Sequence, residues 1–257
     1  MEISSYILTC NSEQYLEKIL VQLSKFSDEI IVLDSGSSDM TLNIAKQFPL
    51  VKAFSRPLDN FKNQRNHAAS LCQHDTLFYV DSDEIPDDTL VNTILAMKDS
   101  TAELGDCGYA FSRQWFVMGR PVHSIYPVVN PDWPVRLFDR RYVAFNDDSN
   151  IVHETLGGQR EIIHLDGTLQ HYTFQTREEI HQKLEHYTSL AAEDMVRRKG
   201  KVSAFKSVFS PIASFIKWYV LKKGLLDGRV GLITGGYAYR YSKLKYRKAL
   251  TLQHQQS

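Results

Sequence analysis

Short apolar runs separated by stretches of helical periodicity fill the first third of this chain, and they leave few folds open to it. Tyr6-Ile7-Leu8, Ile30-Ile31-Val32-Leu33 and Leu77-Phe78-Tyr79-Val80 show no polar alternation, and Val51 to Phe54 adds a further short strand. Strands apolar on both faces are buried on both faces, which is the condition of a parallel sheet covered by helices. The intervening segments supply those helices. Tyr15, Leu16, Ile19, Leu20 and Leu23 recur at helical spacing, Thr41 to Phe48 forms a helix stopped by Pro49, and Phe61 to Cys72 forms another. A polar cluster follows three of the strands: Thr9 to Asn11, Asp34 to Asp39, and Asp81 to Glu84. Ligands on such sheets bind beyond the carboxyl ends of the strands, so these clusters are the candidate site.

The triplet Asp81-Ser82-Asp83 carries the most chemistry. Two carboxylates one residue apart at a strand end can lean toward one point and hold a hard cation such as Mg²⁺ or Mn²⁺, with coordination positions left for phosphate oxygens. The same triplet also suits a turn or a helix cap, and the residues alone leave both readings open. Lys+Arg and Asp+Glu number 30 each, a net charge of +0 that excludes a dominant nucleic-acid role. Cys10, Cys72 and Cys107 match no zinc spacing and no disulfide framework, which fits a reducing compartment. Met1 to Ser5 lacks the basic and apolar regions of a secretory signal, and the most apolar stretch, Val208 to Leu221, is short and carries Pro211 and Lys217. The expected location is therefore cytoplasmic.

Further along, Tyr109 to Phe116 and Val135 to Phe138 read as strands. Thr176-Arg177-Glu178-Glu179 is a capping box opening a helix that runs to Lys199, with Gly200 as its stop. From Ser203 onward aromatic and basic residues interleave. The expected division is a catalytic domain over 1–175, with a nucleotide-binding half at 1–100 and an acceptor half at 101–175, followed by a helical extension over 176–257.

Taken together, the strand ending in Thr9-Cys10-Asn11, the strand ending in Asp34-Ser35-Gly36-Ser37-Ser38-Asp39 and the strand ending in Asp81-Ser82-Asp83-Glu84 resemble the nucleotide-binding half of family 2 glycosyltransferases of the GT-A fold. Pro134 to Phe138, Val152-His153-Glu154, Gln170-His171-Tyr172 and Lys223 to Gly228 extend the likeness to the lipopolysaccharide-core glucosyltransferase branch. Three departures stand out: Ser12 separates Asn11 from Glu13, Ser38 replaces the usual Thr, and the Glu-Asp pair that supplies the base in many members is missing from its expected region. The resemblance implies an α/β fold with a GT-A-type, mostly parallel sheet, flanking helices and a C-terminal helical extension. It implies an inverting, metal-dependent transfer of a hexose, glucose from UDP-glucose, to a hydroxyl of a lipopolysaccharide-core or lipid-linked saccharide. A nucleotide-sugar-binding protein without transferase activity and a sugar-phosphate nucleotidylyltransferase are the alternatives; the latter's glycine-rich loop is absent after the first strand.

The resemblance also assigns roles. Thr9, Asn11, Asp34, Ser35 and Gly36 would line the donor pocket, with Asp34 on the nucleotide base. Asn11 could equally be a helix N-cap, and Asp39 is read as a helix cap. Lys62 and Arg65 either face the phosphates or form a solvated helix face. Asp83 would ligate the metal, Asp81 would approach the ribose or the metal through water, Glu84 would support them, and His171 would complete the metal shell. Arg136 would bind the diphosphate or orient the acid. Inversion needs a base to take the acceptor's proton; Glu154 is the first candidate and Asp132 the second, with a salt bridge between Glu154 and Arg136 as the structural alternative. Trp115, Tyr126 and Trp133 would stack on sugars or pack in the core. The basic, aromatic C-terminal segment would either pack on the catalytic domain or touch the inner face of the cytoplasmic membrane.

Overall fold

The computed structural model describes residues 1–99, 103–146, 155–199 and 203–255. The chain forms two compact units, one of residues 1–113 and 133–171, the other of residues 114–132 and 172–257. Residues 114–132 and 172–175, expected with the catalytic domain, thus group with the C-terminal helices.

The strands that position the site are β1 (Ile3–Thr9), β2 (Glu29–Asp34), β3 (Val51–Ser55), β4 (Thr76–Asp81), β5 (Glu84–Pro86), β6 (Cys107–Val117), β7 (Val135–Asp139) and β8 (Glu161–Thr173). They lie in a nine-stranded sheet in the order β3-β2-β1-β4-β7-β6-β8-β5, with a short strand at Arg120–Pro121 on β6. β3, β2, β1 and β4 pair in parallel, as the apolar runs require, whereas β7 enters antiparallel to β4. β1 reaches back beyond the apolar run to Ser4 and Ser5, both fully buried. Their hydroxyls allow it: Ser5 Oγ pairs with Ser27 Oγ at 2.6 Å, and Ser4 Oγ accepts the His74 amide.

In the first unit, helices α1 (Glu13–Leu23), α2 (Thr41–Ala45), α3 (Phe61–Leu71) and α4 (Asp88–Asp99) connect the strands. The buried stripe of α1 is Leu16, Ile19, Leu20 and Leu23, the spacing read from the sequence. α2 stops at Ala45 rather than Phe48, because its last turn tightens to i→i+3 bonds from Gln47 and Phe48. One face of the sheet carries a core of Tyr6, Ile31, Leu33, Tyr79, Phe138 and Phe145, with the Tyr6 and Tyr79 rings stacked at 5.4 Å.

In the second unit, α5 (Arg177–Lys199), α6 (Ala204–Phe215) and α7 (Gly228–Gln255) are joined, between α6 and α7, by a π-helical turn at Ile216–Leu221 and a 3₁₀ turn at Gly224–Asp227. Half of the capping box forms: Thr176 Oγ1 accepts the Glu179 amide, whereas the Glu179 carboxylate reaches past the cap to accept the amides of Gln175 and Phe174. Val117, Ile125, Phe174, Leu184, Val230 and Tyr237 form this unit's core. Among the described residues no helix is long and apolar enough to cross a membrane.

Candidate functional site

Strand register sets the site. Thr9 stands opposite Asp34, and Leu8 opposite Asp81, so the ends of β1, β2 and β4 deliver their polar clusters to one edge of the first unit. Asp34 is almost fully buried and accepts from Thr9 Oγ1 (2.9 Å), Ser37 Oγ (2.5 Å), the Ser37 amide (2.8 Å) and the Gly36 amide (3.0 Å). Those bonds wind the loop tightly around its own carboxylate, with Gly36 supplying the left-handed turn at φ +98°. Burial pushes the Asp34 carboxyl up, but the donors from Ser37, Thr9 and Gly36 outweigh it and hold it below the ordinary range.

Asp34→Asn gives the carboxylate's donors an amide that cannot accept from all of them, and is expected to cost about 2 kcal/mol at neutral pH. A carboxyl whose folded pKa is depressed stabilises the fold fully above its unfolded value, and loses that contribution as pH falls through the folded value. The gap between wild type and Asp34→Asn should therefore be full at neutral pH and close below the ordinary value of 3.8. Urea titrations across pH 2–7 check this; a gap independent of pH would contradict it.

Asn11 and Asp39 tie the two loops together. Asn11 is not the cap of α1; Ser12 holds that position without a side-chain cap bond, and Gln14 turns to Tyr15. Asn11, at φ +51°, instead accepts the Ser38 amide at 2.9 Å, and its own amide donates to Ser37 Oγ. Asp39 accepts the Thr41 amide at the start of α2 and, with its other oxygen, the Glu13 amide at the start of α1. Glu13 returns the bond by accepting the Met40 amide, and Thr41 Oγ1 accepts the Ser12 amide. Each loop thus caps the helix that follows the other. Ser35 Oγ accepts from Gln64, a fully buried residue of α3 that also binds Arg56.

A second cluster lies at the end of β4. Glu84 is fully buried and is its hub. Arg136 grips it with two bonds, Nε to Oε2 at 3.0 Å and Nη2 to Oε1 at 2.7 Å, and Arg113 Nη1 adds one at 2.9 Å. Glu84 also accepts the Asp81 amide and faces His171 Nδ1 at 3.4 Å. The Asp81 carboxylate is held by Arg65 at 2.7 Å and by Arg136 at 3.4 Å. Tyr79 lies beneath, its ring under Arg136 and Arg65, its hydroxyl accepting from Arg136. Burial raises the carboxyls of both Glu84 and Asp81, yet the guanidinium groups outweigh it and keep both ionised.

Asp83 is more open than its neighbours, its side chain 35% exposed, and its Oδ2 lies 3.6 Å from His171 Nε2. Burial pushes the His171 imidazole down, but the charges of Asp83 and Glu84 outweigh it and raise its pKa. A carboxylate and an imidazole facing one point, beside a neutralised Asp81, fit a two-ligand cation site whose other positions phosphate oxygens would fill. Among the described residues no cluster of three or more such side chains exists that would hold a cation without that help.

The structure therefore brings together Arg65, Asp81, Asp83, Arg136 and His171 in one network, and Thr9, Asn11, Asp34, Ser35 and Gly36 in the neighbouring loops. Lys62 stands half-buried in the first turn of α3. Glu154, with His153, lies outside the described residues. Asp132 belongs to the second unit, where its Oδ1 accepts from Trp115 Nε1 at 2.9 Å. Tyr126 packs on Trp218 and Tyr241 in that unit, whereas Trp133, 42% exposed, stacks on His164 in the first. Sequence reasoning missed Arg113. Its signal was a single arginine inside the aromatic strand Tyr109 to Phe116, which requires a buried counter-ion.

Residues 4–164 match the model of glycosyl transferase family 2. An uncharacterised glycosyltransferase of Rickettsia typhi is 25% identical over 262 residues, covering 98% of this chain and 88% of that protein. The lipopolysaccharide core biosynthesis glycosyltransferase LpsC of Rhizobium meliloti is 26% identical over 263 residues, covering 97% and 94%. Among solved structures, S. aureus TarS 1-349 in complex with UDP-GlcNAc is similar in fold, with a TM-score of 0.50 and 15% identity over 96% of this chain and 92% of that one. With the strand-end clusters in place and the family's model spanning most of the sheet unit, the chain belongs to glycosyl transferase family 2.

Proposed function

We propose that this glycosyltransferase moves a hexose, glucose from UDP-glucose, to a hydroxyl of a lipopolysaccharide-core or lipid-linked saccharide on the cytoplasmic side of the membrane, with inversion and with a divalent cation. The observation that carries the metal-dependent reading is Asp83 facing His171 at the end of β4, beside a carboxylate already neutralised by arginine. Asp83 and His171 would hold Mg²⁺ or Mn²⁺, with Asp81 beside them; a bound cation offsets the charge of the departing diphosphate. The family's transferase activity leaves a non-catalytic sugar-nucleotide binder as the rival and sets aside the nucleotidylyltransferase. LpsC, a lipopolysaccharide core enzyme by name, supports the acceptor class. UDP-GlcNAc bound to TarS supports a uridine donor.

The chain's own residues supply the rest. The loop wound around Asp34, with Thr9, Asn11, Ser35 and Gly36, would seat the nucleoside. Arg65 and Lys62 on α3 would face the diphosphate. Arg136 would hold Asp81 and Glu84 in place, so that the site needs little rearrangement when the donor arrives. Glu154, or Asp132 in its stead, would take the proton from the acceptor hydroxyl.

Calorimetric titration of UDP, GDP and UDP-glucose, with Mn²⁺ and with chelator, tests the donor and the cation together. The expected result is UDP binding that weakens at least tenfold with chelator and in Asp83→Ala, with GDP binding more weakly. Binding of no nucleotide by folded protein would sink the reading. Tight metal-dependent binding with neither transfer nor donor hydrolysis would favour the non-catalytic rival.

A further inference from the structure

Helix α6 is built inside out. The side that faces α7 carries Ser210, whose Oγ pairs with Ser242 Oγ at 3.0 Å, and Ser214, whose Oγ donates to the Ala238 carbonyl at 3.2 Å, with Phe215 and Tyr219 set against the small surface of Gly235. The opposite side of α6 and its π-helical continuation carries Phe205, Val208, Phe209, Ile212, Ile216 and Val220, all exposed, with Phe205 at 69% and Phe209 at 53%. A helix packed on a protein and bathed in water places these residues the other way round. Small residues between helices and large apolar ones outside is the arrangement of helices in lipid. α7 continues the pattern: a Cβ at Gly235 would meet Tyr219 Cβ at 3.0 Å, and one at Gly231 would overlap the Gly224 carbonyl.

Charge identifies the medium. From Ser203 to Leu226 the chain carries Lys206, Lys217, Lys222 and Lys223 and no acidic residue. Asp227, the next acid, is turned inward and holds the His123 amide at 2.9 Å. Two copies of this face brought together would set lysines against lysines, which opposes self-association. Anionic headgroups complement it, and the apolar row suits the boundary beneath them. α6 alone spans about 18 Å, from 12 residues at ~1.5 Å each, and the π-helical turn continues it. No described helix has a window apolar enough to span a bilayer, so the segment would lie in the plane.

We infer that the exposed face of residues 205–226 docks on an anionic lipid bilayer, with the aromatic and aliphatic row in the headgroup boundary and the lysines on the headgroups. This extends the proposed lipid-linked acceptor to the surface that would reach it. Its test uses neither donor nor acceptor, so its failure leaves the transferase reading intact.

The experiment is co-sedimentation of the full chain with vesicles of phosphatidylcholine alone or with one quarter phosphatidylglycerol. Wild type should bind the anionic vesicles at least a hundredfold more tightly. Phe205→Gln/Phe209→Gln/Ile212→Gln, at exposed positions where glutamine keeps helix propensity, should lose that binding. Lys217→Gln/Lys222→Gln/Lys223→Gln should weaken it about a hundredfold, near fivefold per lysine. Circular dichroism and thermal melting on the same preparations establish that the variants are folded. Wild type that ignores both vesicles, or a glutamine variant that binds as wild type does, overturns the inference. So does a dimer in ultracentrifugation that the glutamine variant dissolves while wild type leaves vesicles unbound, since the occupant is then a second copy.

Discussion

Asp83→Ala is expected to slow sugar transfer by about a thousandfold or more while moving the thermal midpoint by only a few degrees. The two numbers come from different physics. A divalent cation on a departing diphosphate contributes several kcal/mol of transition-state stabilisation, and each ~1.4 kcal/mol is tenfold in rate. The Asp83 side chain is 35% exposed, and the imidazole it faces lies at 3.6 Å, too far for a hydrogen bond, so this partly screened pair is expected to contribute no more than about 1 kcal/mol to folding. At roughly 2–4 °C per kcal/mol the fold should hardly register the change. UDP release with and without acceptor, over a Mn²⁺ titration, measures the first effect, and a melting curve measures the second. A variant that still turns over within tenfold of wild type would place the cation elsewhere.

The neighbouring residue should behave in the opposite way. Glu84→Ala is expected to destabilise the first unit by about 3–5 kcal/mol, because it leaves buried Arg136 and half-buried Arg113 without the carboxylate they share. Chemical denaturation should show a lower midpoint at unchanged slope. The buried pair itself need not stabilise the fold, since desolvating two ions costs nearly what their attraction returns. Glu84→Ala/Arg136→Met should therefore cost clearly less than the two single changes added together, and the double-mutant cycle measures that difference. Additive single and double variants would show that Glu84 and Arg136 do not act as a unit. On these expectations the two adjacent carboxylates, Asp83 at 35% exposed and Glu84 fully buried, would separate function from stability.

The legibility of this chain follows the range of its interactions. β2 and β4 could be read directly, because an unbroken apolar run has one way to be buried. α1 could be read from its stripe. β8 could not: Glu161 to Thr173 mixes charged and apolar residues, and Gly167, at φ +117°, interrupts the strand where a Cβ would strike Leu90 Cα at 2.3 Å. The site divides in the same way. Asp34 and Asp81 announce themselves by ending apolar strands, and Asp83 by following two residues on. The partnership of Glu84 with Arg136 spans 52 positions, and β7 brings the two together only by entering the sheet antiparallel beside β4. Asn11 misled for a related reason. Its position before α1 is that of a cap, yet a left-handed backbone turns it away from its own helix and toward Ser38.

The crossed caps between the first two loops have a thermodynamic consequence. Because Glu13 holds Met40, Asp39 holds Glu13, and Asn11 holds Ser38, neither loop can open without releasing the other. Their amides should exchange with solvent as one cooperative unit, more slowly than surface loops do. A ligand seated there meets a floor whose chain entropy was already lost on folding, so little of its binding energy goes into ordering the protein.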